Sequence, residues 1–299
     1  MNLNNCSLSV IIPFYNDSEN LANCLEAINR QTLDSSRFEI IVVDNGSSQD
    51  IQSVAKIYPA VNILYEPKEG SYAARNKGIL NSKGDILAFT DSDCIPAQDW
   101  LEKGLLSLVN KTNAGFVAGK VTFFARDEEN MTAVEIWELL YNYDQESFIR
   151  DRHFGLTANL ITKRSVMDEV GLFNSELKSA GDYEWGNRVH DKGFNIYYDE
   201  DLVVMHPARR TFSQLAKKVR RLIGGQLDVG IINKRECVRK IFIDTIPPVV
   251  SLFRFLKSDE FKSLDRLDYK IKALTVFLYL RYATVYELSR LMLGGKSKR

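Results

Sequence analysis

An α/β fold with a mostly parallel central sheet and a helical C-terminal extension is the architecture this sequence predicts. Three observations predict it. Short apolar, β-branched runs alternate with stretches whose apolar residues recur at helical spacing. Two of those runs stop at an aspartate. The chain, 299 residues with no net charge, is also split electrostatically: residues 1–207 hold 18 Lys and Arg against 31 Asp and Glu, and residues 208–299 hold 21 against 8. Such a split predicts two functional regions, an acidic one suited to a cation and a basic one suited to something anionic.

Taken in order, residues 8–15 (LSVIIPFY) form a continuous apolar run ended by Asn16 and Asp17, which reads as a buried strand. Leu21, Leu25 and Ile28 then repeat at i, i+4, i+7, as on one helix face. Residues 38–43 (FEIIVV) are a second buried strand, stopped by Asp44-Asn45-Gly46. Ile51, Val54, Ala55 and Tyr58 give a second helical stripe, 61–65 a third strand, 73–80 a helix, and 86–90 a fourth strand running into Asp91. Fully apolar strands separated by helices imply parallel pairing with both faces covered. Ligands of such sheets bind beyond the carboxyl ends of the strands, so Asp44 and Asp91 are expected on one rim.

After Trp100 the pattern loosens. Residues 115–124 read as a strand, 131–148 as a helix, 156–162 as a short strand, 182–192 as a helix and 195–205 as one or two strands. From Thr211 onward the chain reads as helical and basic, interrupted at Pro247-Pro248.

Composition narrows the function classes. A hydrophobic fraction of 45% supports a sizeable core. Cys6, Cys24, Cys94 and Cys237 are scattered without a CxxC pair, which argues against a disulfide framework or a cysteine zinc site and suits a reducing compartment. Residues 1–7 lack a basic n-region, and the longest apolar run near the C-terminus, 273–280, is far short of the ~20 residues a membrane span needs. The expected location is therefore the cytoplasm, with the cytoplasmic face of a membrane as the alternative.

The sharpest motif is residues 84–93 (GDILAFTDSD), which places two carboxylates one residue apart at a strand end. Mg²⁺ and Mn²⁺ favour oxygen ligands and often sit between carboxylates and substrate phosphates. The same pair could instead satisfy turn amides. Asp44 could accept hydrogen bonds from a base or ribose, or close an Asx turn, because Asn-Gly is a strong turn signal. Arg75 falls in the first turns of a helix, a setting that favours phosphate; it could equally be a surface arginine.

Residues 181–188 (GDYEWGNR) form a second acidic cluster. Glu184 and Arg188 stand at i, i+4 and read as a helical salt bridge. Asp182 at the helix start reads as an N-cap or as a general base, and the helix N-terminus should lower its basicity. His206 ends a strand and could complete a metal site or be a partly buried structural histidine.

Together, residues 9–16 (SVIIPFYN), 41–47 (IVVDNGS), 74–78 (ARNKG), 84–93 with Pro96 and Trp100, 171–173 (GLF), 181–185 (GDYEW) and His206-Pro207 resemble the family 2 glycosyltransferases. The resemblance covers roughly residues 8–225. It implies the GT-A fold, with a catalytic domain over 1–210 (a nucleotide-sugar half about 1–100, an acceptor half about 101–210) and a basic helical extension over 211–299. It also implies roles by position. Pro13 and Tyr15 would line the nucleotide pocket, Asp44 would hold base or ribose, and Arg75, Asp91 and Ser92 would lie by the donor. Asp91, Asp93 and His206 would hold Mn²⁺ or Mg²⁺, with Asp93 the more direct ligand. Asp182 would be the base, with Glu184 in reserve, because Gly181 stands where many members carry a glutamate. Asn159 and Trp185 would line the sugar and acceptor pocket.

The implied reaction is an inverting transfer from a nucleotide sugar, UDP-linked in the first instance, to a hydroxyl of a glycan, a lipid-linked sugar or a small molecule. Residues 211–299 interleave Phe212, Leu215 and Val219, and later Ile271, Leu274, Leu278, Tyr282 and Val285, with Lys and Arg. They are expected to pack on the catalytic domain or a second subunit, or to touch anionic lipid. A nucleotidyltransferase making nucleotide sugars is the first rival, but Pro13-Phe14-Tyr15-Asn16-Asp17 has no glycine to cradle a triphosphate. A non-catalytic nucleotide-sugar binder is the second. No zinc spacing or RNP-like aromatic motif supports nucleic-acid binding.

Overall fold

A computed structural model describes residues 7–49, 51–141 and 143–297. Cys6 and the rest of the N-terminal segment read for a targeting signal lie outside the described residues, apart from Ser7. The described chain forms two compact units. One contains the chain to Thr122, Tyr143–Glu176 and Gly181–His206; the other contains residues 123–141, 177–180 and 207–297.

Eight strands form one sheet: β1 (Leu8–Phe14), β2 (Phe38–Asp44), β3 (Val61–Tyr65), β4 (Ile86–Phe89), β5 (Ile95–Pro96), β6 (Ala114–Phe124), β7 (Leu160–Lys163) and β8 (Asn195–Pro207). Their order is β3-β2-β1-β4-β7-β6-β8-β5. The first four strands pair in parallel. β7 then runs antiparallel to β4, and β6 antiparallel to β7, so the sheet is mixed. The apolar runs explain the parallel half: Val10, Ile11, Ile12, Val42, Val43, Ile86 and Phe89 are all 0% exposed because helices cover both faces. Pro13 sits beyond Ile11, the last β1 residue paired with β4, where its missing N–H breaks no bond to that strand.

Helices α1 (Ser18–Asn29), α2 (Gln52–Ile57), α3 (Ser71–Asn81) and α4 (Trp100–Asn110) follow the early strands. On α1 the buried residues are Leu21, Cys24, Leu25 and Ile28, the stripe read from the sequence with one cysteine added. The helix expected over 131–148 is two helices, α5 (Ala133–Leu140) and α6 (Gln145–Arg152). Thr132 and Glu135 make a capping box for the first, and Asp144 accepts from the Ser147 N–H to start the second. The strand expected over 156–162 opens with a 3-10 turn at Thr157–Asn159 before β7. α7 (Arg164–Val170) and α8 (Gly181–Asp191) complete the helices of the first unit.

The second unit is built by α5 with α9 (Phe212–Asp228), α10 (Lys234–Thr245), α11 (Val249–Lys257), α12 (Asp259–Lys262) and α13 (Leu267–Met292). Pro247-Pro248 separates α10 from α11, as proline does when it follows a helix end. Val134, Leu215 and Val276 form one apolar cluster, with Phe212 against it. Ile136, Phe255, Leu264, Tyr269 and Ala273 form another, and Ile223, Cys237, Leu288 and Leu291 a third. Phe212 and Leu215 of the first basic stripe are thus spent on the unit's own core. The second stripe is corrected: α13 buries Tyr269, Ala273, Val276, Leu288 and Leu291, while Ile271 and Tyr282 are exposed. Glu138 is buried and takes ion pairs from Arg209 and Lys218 at 2.9 and 2.7 Å. Among the described residues, no helix is long and apolar enough to cross a membrane.

Candidate active site

The register of the sheet builds the site. Phe14 pairs with Asp44, and Ile11 with Phe89, so β2 and β4 finish at the same edge with Asp91 two residues beyond. Asp44 and Asp91 therefore share a rim. Asp44 Oδ1 accepts from the Ser47 N–H at 2.9 Å, closing the Asx-type turn. Asn16 Oδ1 accepts from the Ser48 and Gln49 N–H groups and fixes the same loop from the end of β1. Asn45, which the sequence reading used only as a turn signal, is 3% exposed. Its amide donates to the Glu66 and Lys68 carbonyls and accepts from the Gly70 N–H, tying down the loop that leads into α3. Gly70 has φ of +126°, a conformation that favours glycine.

From α3, Arg75 is buried, at 3% exposure, and pairs through Nη2 with Asp91 Oδ1. Its Nε is buried without a hydrogen bond. Arg75 is therefore no free surface arginine: it holds the first acid of the DxD pair in place. Tyr15 is 50% exposed, Pro13 and Ser92 are partly buried, and all three lie in segments that reach this rim.

The second acid meets His206 through another register. β5 is only two residues long, but Ile95 pairs antiparallel with Met205. Asp93 precedes that pair on one strand and His206 follows it on the other, so His206 Nε2 lies 3.5 Å from Asp93 Oδ2. Ligand atoms of Asp93, Cys94 and His206 all lie within 4.8 Å of one another. Burial, and then Asp93 and Asp91, push the Cys94 thiol well above its ordinary pKa. The carboxylate and imidazole of Asp93 and His206 are a donor pair that a divalent cation such as Mn²⁺ accepts.

Asp182 lies in the first turn of α8 and accepts from the Thr157 hydroxyl at 3.1 Å and the Thr157 N–H at 3.4 Å. The expected lowering of its basicity is reversed. Burial pushes its carboxyl above the ordinary 3.8; Arg75 opposes that and Asp91 adds to it. Charges from α3 and from the turn after β4 therefore act on the α8 acid. The sequence reading missed Tyr72, whose hydroxyl accepts from the Gly181 N–H at 2.9 Å. A Cβ on residue 181 would lie 2.6 Å from the Tyr72 ring. The tyrosine thus occupies the space a glutamate side chain would leave through, which accounts for glycine at this position.

Glu184 forms the expected salt bridge, accepting from Arg188 Nε at 2.7 Å and Nη2 at 3.0 Å. Both residues assigned to the acceptor pocket require correction. Asn159 is 0% exposed, accepts from the Trp100 indole and donates to the Lys120 and Leu202 carbonyls. Trp185 is 0% exposed, stacks among Phe116 and Phe173 and donates to the Gly171 carbonyl. Neither offers a face to a ligand.

Strand-end acids, a buried arginine and a partly buried carboxylate are gathered here in an α/β enzyme of the GT-A fold class. Residues 9–171 match the family model "Glycosyl transferase family 2", and the chain belongs to that family. It is 39% identical over 240 residues to "Glycosyltransferase AglE" of Haloferax volcanii, covering 79% of this chain and 77% of the relative. It is 24% identical over 228 residues, 71% and 70% of the two chains, to a Methanococcus voltae protein named dolichyl N-acetyl-alpha-D-glucosaminyl phosphate 3-beta-D-2,3-diacetamido-2,3-dideoxy-beta-D-glucuronosyltransferase. In fold it is similar to the Pyrobaculum calidifontis mannosyltransferase PcManGT in complex with GDP-Man and Mn²⁺, with a TM-score of 0.62, 16% identity, and coverage of 97% of this chain and 87% of that one.

Proposed function

We propose that this glycosyltransferase moves a sugar from a nucleotide diphosphate donor, UDP-linked in the first instance, to an acceptor hydroxyl by one inverting displacement. The observation that carries the reading is the convergence of three chain segments: Asp182 accepts from Thr157, the Arg75–Asp91 pair acts on its charge, and burial raises its carboxyl. A raised carboxylate is a better base near neutrality than an ordinary one. Asp182 takes the proton of the acceptor hydroxyl. The acceptor oxygen bonds to the anomeric carbon as the bond from that carbon to the diphosphate oxygen breaks, and the electron pair leaves on the diphosphate.

The exposed side of the DxD turn binds the departing phosphates, with Arg75 holding Asp91 in place behind it. Asp91, Asp93 and His206 would hold Mn²⁺ or Mg²⁺, which when bound neutralises charge on the leaving diphosphate. Asp44 and Tyr15 hold the base and ribose at the rim. A lipid-linked sugar is the first acceptor class to try, because the name of the Methanococcus voltae relative specifies one.

The test is a panel of UDP-, GDP- and dTDP-sugars with Mn²⁺, read first by thermal shift and then by product NMR. Inverted stereochemistry at the new linkage is expected. Retention would overturn the mechanism, and pyrophosphate release from a nucleoside triphosphate plus sugar phosphate would overturn the reaction class.

A further inference from the structure

The second unit carries an apolar surface that its own core does not use. Val238 and Phe242 on α10 and Val249, Val250 and Phe253 on α11 are each between 58% and 71% exposed. Arg235, Val238, Arg239 and Phe242 stand at i, i+3, i+4 and i+7, one face of α10. Val249, Phe253 and Leu256 stand at i, i+4 and i+7 on α11. Cys237 and Phe255, from the other faces, anchor the two helices in separate apolar clusters. The outward faces are therefore held rigidly and left bare, and they exceed the scattered single apolar residues of an ordinary surface.

Charge identifies the occupant. Residues 234–257 contain six Lys and Arg and two acids. Both acids are committed inside the unit: Glu236 accepts from the Asn233 N–H in a capping box, and Asp244 pairs with Arg281 at 3.1 Å. Lys257 Nζ lies 4.2 Å from the centre of the Phe253 ring, a cation standing directly beside an exposed aromatic. Apolar side chains flanked by the exposed cations Arg235, Arg239 and Lys257 match an anionic interface, where burial and charge attraction act together. A two-fold contact with a second copy would instead set this cationic face against itself.

We propose that the outward faces of α10 and α11 dock on an anionic lipid bilayer. Phe242, Val249, Val250 and Phe253 enter the headgroup–acyl boundary, while Arg235, Arg239 and Lys257 meet lipid phosphates. Both helices belong wholly to the second unit, apart from the residues assigned to the donor.

The experiment is co-sedimentation of the full chain with phosphatidylcholine vesicles and with vesicles containing roughly one-third phosphatidylglycerol, at low and high salt. Binding to the anionic vesicles is expected to exceed binding to neutral ones by about tenfold and to weaken with salt. Val250→Ser with Phe253→Ser should lower it about tenfold at unchanged melting temperature, and Arg239→Glu with Lys257→Glu should remove its salt dependence. Equal, weak sedimentation with both vesicle types would overturn the proposal, as would full binding by the serine variant. So would a dimer, seen by light scattering without lipid, that the serine variant abolishes.

Discussion

Two effects compete at Asp182. The α8 N-terminus and Arg75 favour the carboxylate; burial and Asp91 disfavour it, and burial wins. A carboxyl raised on folding favours the native state below its ordinary pKa, and that contribution is lost as pH rises through the raised value. The proposed base role asks for the ionised form, so the acid limb of kcat/KM should lie above the ordinary 3.8. Asp182→Asn should lower kcat by about 10²–10⁴ while donor binding, read by calorimetry, changes little. The same variant should melt at a slightly higher temperature at neutral pH, because it no longer buries a charge. Arg75→Gln should move the acid limb further up. His206→Ala should raise the Mn²⁺ concentration for half-maximal activity by about tenfold or more. At this scale the sequence showed which side chains carry charge. It could not show that Thr157, Arg75 and Asp91 set the field at Asp182, because they come from distant segments.

Elements were legible where local pattern and final packing agree. The stripe on α1 covers one helix face, and the apolar runs of β1 and β4 have both faces covered, so spacing and composition alone identify them. The break between α5 and α6 was hidden because apolar spacing continues across it; only the cap at Asp144 marks it. The antiparallel entry of β7 was hidden too, since strand direction depends on the path of the chain. Tyr72 belongs to this scale, because it fixes the start of one helix from the first turn of another. Tyr72→Phe removes the acceptor of the buried Gly181 N–H and should cost about 1–3 kcal/mol in chemical unfolding. Gly181→Ala should cost about 1–3 kcal/mol through overpacking against the tyrosine ring. Combining it with Tyr72→Ala should cost less than the sum of the two single changes, since the clash is then gone.

For the whole molecule, the charge split read from the sequence has a partly internal purpose. Basic residues of the second unit neutralise its own buried acids: Arg209 and Lys218 at Glu138, and Arg290 at Glu287. Burial raises the Glu138 carboxyl, but its two cations outweigh burial and hold it below the ordinary 4.5. Its contribution to stability is therefore present above that value and lost as pH falls through the lowered one. Glu138→Gln should destabilise the fold by roughly 3 kcal/mol at neutral pH, seen as a lower melting temperature, and flatten its acid dependence. The Asp93–His206 pair makes a different demand, on the order of assembly. Its partners come from widely separated parts of the first unit's chain and meet only when β8 is laid against the two-residue β5. Pairings between distant segments are slow to form. On dilution from denaturant, the capacity to capture Mn²⁺, followed by electron paramagnetic resonance, should return later than the far-ultraviolet helix signal. The cation site would then serve as a clock for the last strand to arrive.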